Sequence, residues 1–337
     1  MRVSRTLAIA TAVALSALTL GACSGTGSGA SSGTSSGAAS GATSSGGAIS
    51  VAVIAKGYAS PFWATVKSGA DAAGKELGVQ VSFNGPDSET DTPRQNDLLN
   101  QTLVTHPSAL VFAALDSTAQ ASVLKQFKDA SIPVVAFDSG VPGSDIPVTT
   151  VATNNKAAAA TAAQHLSELI GAKGKVAIIC NSQTSVSGQD RENGFRDWLK
   201  KNAPDVQVVD VQYNNSDQAI AQQQAAAILQ ANPDLAGIFA TDDDGSVAAA
   251  TAVKTANRTD SVKVVGFDSG KPQMDLITQG VISGSITQNP YQMGHDAVAK
   301  AVEAVKGTKL EAFYDSGYLW YDAKNINDAD VQRAVYE

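Results

Sequence analysis

Short runs of β-branched and apolar residues alternate with longer Ala-rich, amphipathic stretches along most of this chain. The alternation begins near residue 49 and continues to about residue 321. Short continuous apolar runs are typical of parallel strands that are buried on both faces, and the stretches between them are long enough for crossover helices. The pattern therefore predicts an α/β protein whose parallel sheets are covered by helices on both sides.

The predicted elements follow one another as strand and helix almost throughout. Strands are expected at 49–55, 79–83, 109–113, 133–137, 148–153, 175–180, 206–211, 236–240, 262–267, 283–287 and 317–321. Helices are expected at 61–77, 92–105, 118–130, 155–170, 189–202, 217–231, 245–255 and 291–306, with a short one after Gly270.

One seven-residue phrase occurs twice, as V-V-A-F-D-S-G at 134–140 and as V-V-G-F-D-S-G at 264–270. Each copy ends a predicted strand, and the two are 130 residues apart, so the chain is predicted to consist of two similar halves. Ligands of open parallel sheets bind beyond the carboxyl ends of the strands. Two halves that face each other would place Asp138 and Asp268 on opposite walls of one cleft.

The first residues are typical of an export signal. Arg2 and Arg5 precede an apolar stretch at 7–20, which is short for a transmembrane helix and leads into Leu-Gly-Ala-Cys at 20–23. The sequence around Cys23 resembles a bacterial lipobox, so we predict a signal peptide at 1–22 and lipidation of Cys23; the alternative is an ordinary cleaved signal with an incidental cysteine. Residues 24–47 are only Ser, Gly, Ala and Thr, and residues 23–48 are therefore interpreted as a lipidated Cys with a flexible tether.

The body after the tether is acidic. Without Arg2 and Arg5 the chain has 22 basic and 32 acidic residues, and hence a net charge of −10. This charge argues against nucleic acid and anionic lipid surfaces as partners, and no later apolar run is long enough to span a bilayer. Contact with the membrane is thus predicted through the lipid anchor only. Cys180, the other cysteine, has no partner for an internal disulfide and is interpreted as a buried strand thiol.

Five short motifs follow one another along the chain: S-P-F-W at 60–63, the aspartate after the strand at 134–137, R-x-x-G-F at 191–195, V-V-G-F-D at 264–268 and I-T-Q at 286–288. With these motifs, the chain from residue 49 onward resembles the type I periplasmic sugar-binding proteins, the ribose- and galactose-binding group that serves ABC importers. The resemblance implies two doubly wound parallel-sheet domains joined by a multi-strand hinge. We expect an N-terminal lobe of 49–152 plus 289–317 and a C-terminal lobe of 153–288 plus 318–337. The resemblance also implies that the protein is a monomer and that it works outside the cytoplasm with an ABC permease and its ATPase.

The same resemblance suggests which residues bind the ligand. Phe62 and Trp63 would stack on the faces of a sugar, and Asp138 and Asp268 would each accept hydrogen bonds from hydroxyls. The alternative for the two rings is a place in the core. The alternative for the two carboxylates is a role as helix N-caps.

Arg191 would donate two parallel hydrogen bonds to the ligand, and Gln288 would offer one donor and one acceptor near the hinge. Arg191 could instead pair with its sequence neighbours Asp190 or Glu192 on a solvated face. The resemblance also implies that a polar residue lines the cleft at the position of Asp242. The run Asp242-Asp243-Asp244-Gly245 lacks the alternating oxygen ligands of a calcium loop, so one inward carboxylate followed by two helix-start charges is expected.

Several positions depart from the ribose-binding pattern. Ser139 stands where ribose binders have Arg, Ala113 and Asp242 stand where they have Asn, and Lys56 replaces a small hydroxyl residue. The three predicted carboxylates and two predicted cations of the pocket give a charge of −1. A neutral sugar or polyol fits such a pocket, with an amino sugar as the cationic variant, and ribose itself is not indicated.

Other functional classes lack their motifs. No dinucleotide fingerprint, phosphate loop or nucleophile elbow lies between a strand and a helix, and the three histidines show no metal spacing, so no cofactor, metal or catalytic residue is predicted. Carboxylates across a cleft could hydrolyse a glycoside, but this is the weaker interpretation. A repressor would need a DNA-binding module where this chain has an export signal. A sensor subunit that reports to a membrane receptor is the remaining alternative to import.

Overall fold

The structure, a computed structural model, describes residues 48–336, which form two six-stranded sheets with helices packed against both faces of each. The strands are β1 Ser50–Ile54, β2 Gln80–Asn84, β3 Ala109–Phe112, β4 Val134–Phe137, β5 Pro147–Ala152, β6 Gly174–Cys180, β7 Val206–Tyr213, β8 Leu235–Ala240, β9 Lys263–Phe267, β10 Gly284–Gln288, β11 Phe313–Asp315 and β12 Tyr318–Tyr321. The helices are α1 Pro61–Leu77, α2 Thr92–Val104, α3 Ala121–Asp129, α4 Asn155–Leu169, α5 Val186–Asn202, α6 Gln218–Ala231, α7 Asp243–Thr255, α8 Lys271–Thr278, α9 Pro290–Val305 and α10 Ala329–Ala334.

The two sheets repeat one strand order. The first runs β11-β5-β4-β3-β1-β2 and the second β12-β10-β9-β8-β6-β7, so that each strand from β1 to β5 corresponds to the strand five places later. All pairs are parallel except β10 with the edge strand β12, which is antiparallel. We call the part of the chain built around the first sheet the first lobe and the part built around the second sheet the second lobe. The predicted doubly wound α/β fold class is confirmed.

The strands show why continuous apolar runs are needed here. In β1, Val51 and Val53 face one hydrophobic cluster of the first lobe, whereas Ala52 and Ile54 face the other. Both faces of the strand are therefore buried. Residues 51–54 are apolar throughout and do not alternate with polar ones, as they would in a strand with one exposed face. The second sheet also lies between two clusters.

The repeated phrase folds in the same way in both lobes. β4 and β9 end at Phe137 and Phe267, and the next residue is an aspartate in the left-handed region, with φ of 53° at Asp138 and 75° at Asp268. The backbone N–H of each aspartate donates across to the neighbouring strand, at Val151 in the first lobe and Ile286 in the second. The turn thus places both aspartates at the carboxyl ends of the two sheets. Neither aspartate is a helix N-cap.

Within residues 48–336, the chain crosses between the lobes after β5, after β10 and after β11. The three crossings meet at Thr153, whose hydroxyl lies 3.0 Å from Gln288 Oε1 and 3.5 Å from the Gly317 carbonyl oxygen. Asp315 Oδ1 accepts hydrogen bonds from the backbone N–H groups of Asn154 and Gly317. The crossings therefore form one hydrogen-bonded hinge.

Some sequence predictions need correction. The strand predicted at 317–321 is β12, on the edge of the second sheet, whereas β11, on the edge of the first sheet, and α10 were not predicted. α5 begins three residues earlier than expected because Ser185 caps it by accepting from Gly188 N–H, and α3 begins three residues later, at Ala121. The predicted signal peptide, Cys23 and almost all of the tether lie outside the described residues. No helix of residues 48–336 has both the length and the apolar character needed to cross a membrane.

Candidate ligand-binding cavity

A cavity of about 150 Å³ lies between the lobes, at the carboxyl ends of both sheets. Its lining includes all eight residues that were predicted to bind ligand: Lys56, Phe62, Trp63, Asp138, Arg191, Asp242, Asp268 and Gln288. Pockets for drug-sized ligands are roughly 300–1,000 Å³, so this space suits a molecule of the size of a monosaccharide. The structure thus brings the predicted residues together, while their role in binding stays a prediction.

The first lobe contributes a buried ion pair to the cavity. Lys56, which follows β1, places Nζ 2.9 Å from Asp138 Oδ2 and 3.7 Å from Glu89 Oε2. Burial alone would lower the pKa of Lys56, but the adjacent Asp138 and Glu89 raise it above its usual value. Lys56 is therefore a fixed cation whose charge is already matched by Asp138.

The aromatic residues at the start of α1 differ in their exposure. α1 begins after the N-cap Ser60 with Pro61 in its first turn, which places Phe62 and Trp63 at the cavity. Trp63 is 2% exposed, packs edge to face against Phe137, and donates its indole N–H to Glu89 Oε1 at 2.7 Å. Trp63 thus belongs to the core as well as to the cavity wall, whereas the half-buried Phe62 has more surface to offer a ligand.

Arg191, on α5, is held in place by its own lobe. Its Nε donates to Asn155 Oδ1 at 2.8 Å, its Nη1 donates to the Thr241 carbonyl at 2.7 Å, and its guanidinium lies 3.8 Å from the centre of the Phe267 ring. The alternative pairing with Asp190 or Glu192 is not found. Because Nε and one Nη1 hydrogen are already used, two parallel bonds to a ligand would have to come from the Nη1 and Nη2 groups.

Gln288 links the cavity to the hinge. Its Nε2 donates to Asp268 Oδ1 at 2.6 Å, and its Oε1 accepts from the Thr153 hydroxyl. Each end of this amide makes one hydrogen bond within the protein, while Nε2 keeps a second hydrogen and Oε1 a second lone pair. The expected donor and acceptor for the ligand stay a prediction. Burial raises the pKa of Asp268, and the nearby Arg191 and the hydrogen bond from Gln288 act in the opposite direction.

The start of α7 places three consecutive carboxylates at the cavity. Asp242 is the N-cap and accepts from Gly245 N–H at 3.1 Å, while Asp243 and Asp244 form the first turn. The expectation of a single inward carboxylate was wrong, because all three line the cavity. Burial, reinforced by the neighbouring carboxylates, raises the pKa of Asp242 to about 7, that of Asp243 to about 8 and that of Asp244 to about 6.

The structure also adds cavity residues that the sequence interpretation missed. The most polar of these are Glu89, Asn181, Ser216, Asp243, Asp244 and Tyr336. Asn181 and Ser216 could have been found, because each follows a parallel strand at its carboxyl end. Glu89 lies in the loop between β2 and α2, and Tyr336 returns from beyond α10, so neither position carries a local sequence signal.

The lobes touch each other around the cavity. Ser117 N–H donates to the Thr184 carbonyl at 3.2 Å, Val186 N–H donates to the Ser139 hydroxyl at 3.1 Å, and the rings of Phe62 and Tyr336 meet edge to face. These contacts join residues of opposite lobes, so the arrangement is a closed one.

Comparison with known proteins agrees with this two-lobed architecture. Residues 51–309 match the periplasmic binding protein domain family, and the chain belongs to that family. The similarities described next place it in the type I, ribose and galactose group, as its motifs indicated.

Curated relatives and solved structures are similar over most of the chain. The D-ribose/D-allose-binding protein of Pseudomonas aeruginosa is 29% identical over 268 residues, which are 77% of this chain and 83% of the relative. A carbohydrate transporter solute-binding protein of Agrobacterium radiobacter, solved in complex with D-arabinose, has a TM-score of 0.82 at 29% identity, covering 86% of this chain and all of that one. An ABC transporter solute-binding protein of Agrobacterium vitis with bound D-fucose has a TM-score of 0.81 at 30% identity, covering 85% and 100%.

These relatives bind solutes and are not enzymes, which confirms the prediction that the chain is not a catalyst. Family membership also confirms the prediction that the chain is a solute-binding protein of the ABC transporter type, and it implies a location outside the cytoplasm.

Proposed function

We propose that this protein captures a small sugar or polyol in the cavity between its lobes and delivers it to the permease of an ABC importer. One observation carries the proposal: carboxylates and hydrogen-bond donors from both lobes converge on a single cavity of monosaccharide size. Ionised carboxylates accept from hydroxyls, and aromatic rings pack against the C–H groups of a sugar, so this lining suits a polyhydroxylated ligand.

The names of the relatives support the substrate class. They refer to D-ribose, D-allose, D-arabinose and D-fucose, which are all monosaccharides. The contacts within the first lobe argue for a ligand other than ribose, because Lys56 and Asp138 form an ion pair where the sequence departs from the ribose-binding pattern.

The proposed mechanism is hinge closure. The crossings at Thr153, Asn289 and Gly317 would bend, and the lobes would be 49–152 with 289–317 and 153–288 with 318–337. A ligand that contacts both walls binds the closed arrangement more tightly and shifts the population toward it by that difference in free energy. The hydrogen bonds that join Asp268 to Gln288 and Gln288 to Thr153 would couple ligand contact directly to the hinge.

We further propose that the protein is held at the outer face of the cell membrane by a lipid on Cys23, with residues 24–48 as the tether. Because the tether separates the anchor from the binding body, Cys23→Ser should release the protein from the membrane fraction and leave its affinity unchanged. Fractionation of cells that express both forms tests this. A Cys23→Ser protein that stays in the membrane fraction would refute the anchor.

The decisive experiment for the function is mass spectrometry of ligand that co-purifies with the protein, followed by calorimetry with that compound. A monosaccharide or polyol that binds with one-to-one stoichiometry is the expected result. Binding of a non-hydroxylated compound in its place would overturn the proposal. Neighbouring genes for a permease and an ATPase separate import from the alternative role of sensing for a membrane receptor.

A further inference from the structure

The charge of the cavity differs from the value expected from sequence. Six carboxylates line it, since Glu89, Asp243 and Asp244 join the three that were predicted, while Lys56 and Arg191 remain the cations of its wall. With every group ionised the lining has a charge of 2 − 6 = −4, compared with the −1 of the predicted set. The additional negative charge lies on Glu89 and at the start of α7.

Both cations are already matched by carboxylates. Lys56 Nζ lies 2.9 Å from Asp138, and Arg191 Nη1 lies 3.7 Å from Asp268 while it donates to the Thr241 carbonyl. Within the described part of the chain, the triplet Asp242–Asp244 forms no ion pair, and Asp243 and Asp244 accept no hydrogen bond. The unmatched charge is therefore concentrated in one region of the cavity.

The dipole of α7 compensates only part of this charge. A helix N-terminus acts as roughly half a positive charge, whereas the triplet has up to three negative charges and Glu89 faces it from the first lobe. As the helix cap, Asp242 has a hydrogen-bond partner for its Oδ1, which accepts from the Gly245 N–H. Capping provides no such partner for the side chains of Asp243 and Asp244.

Asn181 adds a hydrogen-bond donor to this region. Its side chain is 4% exposed and lines the cavity, and its Oδ1 accepts from the Thr241 hydroxyl at 2.8 Å. Its Nδ2 donates to no residue in the described range 48–336. Since the rest of the side chain is buried and held by Thr241, this N–H group is available to a ligand oxygen in the cavity.

An organic cation fits this region better than a metal ion does. No group of three or more His, Cys, Asp or Glu among residues 48–336 is arranged to hold a metal. The wall also contains Phe62 and Trp63, which suit a ring or a carbon chain with C–H groups. Burial, with the neighbouring carboxylates, raises the pKa of Asp242, Asp243 and Asp244, and a cation placed beside them would lower it again.

We infer that the ligand of this cavity is a hydroxylated molecule with one ammonium group, an amino sugar or amino polyol, whose ammonium lies between Glu89 and the Asp242–Asp244 triplet. The inference rests on the proposed function and specifies its substrate class. Lys56, Arg191 and Asn181 would contact the hydroxyl oxygens, and the triplet would contact the ammonium.

The test is calorimetry on the full chain with matched pairs that differ in charge: D-glucosamine against D-glucose and D-galactosamine against D-galactose, with N-acetyl-D-glucosamine as the uncharged amide control. For the pair that binds, the amine should bind about tenfold to a hundredfold more tightly than its parent, as expected for one charge-assisted contact. Binding of the amine at pH 7 should also release protons, measured in buffers of different ionisation enthalpy, because the ammonium lowers the pKa of the carboxyls it contacts.

Two variants locate the ammonium. Asp243→Asn and Asp244→Asn should reduce the amine's advantage over its parent, whereas Asp129→Asn, which removes an exposed carboxylate of α3, should preserve it. A parent sugar that binds as tightly as its amine, or Ca²⁺ that competes for the cavity, would overturn the inference and leave sugar binding intact. Failure of every amine and every parent sugar to bind, together with a non-hydroxylated compound as the co-purified ligand, would overturn the proposed function itself.

Discussion

Asp138 and Asp268 have a backbone conformation that restricts which residues can replace them. Both have positive φ, and among residues with a Cβ it is Asn and Asp that adopt this region most readily. Alanine at either position would add backbone strain to the loss of the carboxylate. Asparagine keeps the turn and removes only the charge, so it is the substitution that isolates the electrostatic role.

We expect Asp138→Asn and Asp268→Asn each to weaken ligand binding by roughly one to two decades, since a hydrogen bond to a charged group contributes about 1.5–3 kcal/mol. Asp138→Asn also leaves Lys56 without its closest counter-charge. Calorimetry with the cognate ligand measures both effects, with Asp129→Asn as the control for net charge. Unchanged affinity in both variants would show that the two aspartates do not share a ligand.

Among single residues, cavity residues that directly follow a strand can be predicted from sequence better than cavity residues that lie on distant loops. Asp138 and Asp268 were predictable because a repeated phrase marks the end of a strand in each half. Glu89 and Tyr336 reach the cavity through loops whose course depends on tertiary packing. Sequence offered a core position for either ring, but that Trp63 is the buried one could not be predicted, because its burial depends on the distant Phe137 and Glu89.

The helix pair α1 and α9 shows how two elements distant in sequence depend on small residues. A Cβ on Gly69 would lie 1.9 Å from the Tyr291 carbonyl oxygen, and a Cβ on Gly294 would lie 2.0 Å from the Val66 carbonyl oxygen. Each glycine allows the backbone of the opposite helix to approach closely. Any side chain at these positions would push the helices apart.

Gly69→Ala should therefore destabilise the protein, by about 1–3 kcal/mol as is typical of overpacking, even though alanine favours helices. Ser68→Ala, at an exposed position of the same helix, is the matched control and should change stability little. Chemical denaturation of both variants measures the difference. Equal stability would mean that the two helices are not in close contact.

The start of α7 should make stability depend on pH. The pKa values of Asp242, Asp243 and Asp244 are about 7, 8 and 6 in the folded protein, compared with about 3.9 in an unfolded chain. The folded state then binds more protons than the unfolded state between about pH 4 and 8. The stabilising contribution of these groups is complete below about pH 4 and is lost as the pH rises through 6 to 8.

We expect the unliganded protein to lose stability from pH 5 to pH 8, and the Asp243→Asn variant to lose less of it. The comparison of the two proteins cancels other groups that titrate in the same range, such as His295, whose pKa is raised by its contact with Glu76. Denaturation midpoints at several pH values test this. Parallel pH profiles for the variant and its parent would contradict the assignment.

At the scale of the whole molecule, the two lobes meet around the cavity through contacts such as Ser117 with Thr184 and Val186 with Ser139. The fold class and the succession of strands and helices along both halves were predictable, because the hydrophobic pattern and the repeat extend through the chain. Strand β11 was not, because it is a three-residue edge strand with two exposed residues and is defined by its pairing with the distant β5.

The closed arrangement should depend on the ligand. We expect the radius of gyration from X-ray scattering to decrease when the cognate ligand saturates the protein, and the fluorescence of Trp63 to change because its ring lines the cavity. Arg191→Ala should weaken binding chiefly through faster release. A Trp63→Phe variant serves as the control for the origin of the fluorescence signal. Unchanged dimensions together with a release rate equal to that of the parent would exclude closure.

The close packing of α1 and α9 has a consequence for the order in which the molecule can fold. α9 supplies Met293, Ala297, Val298, Ala301 and Val302 to one of the two cores of the first lobe. During synthesis from the amino end, that core therefore stays exposed until residue 305 has been added, although most of the lobe precedes residue 153. Most of the second lobe's core comes from one continuous segment, so its local contacts are complete earlier. The lobe that begins the sequence would thus be the later of the two to become protected from hydrogen exchange during refolding.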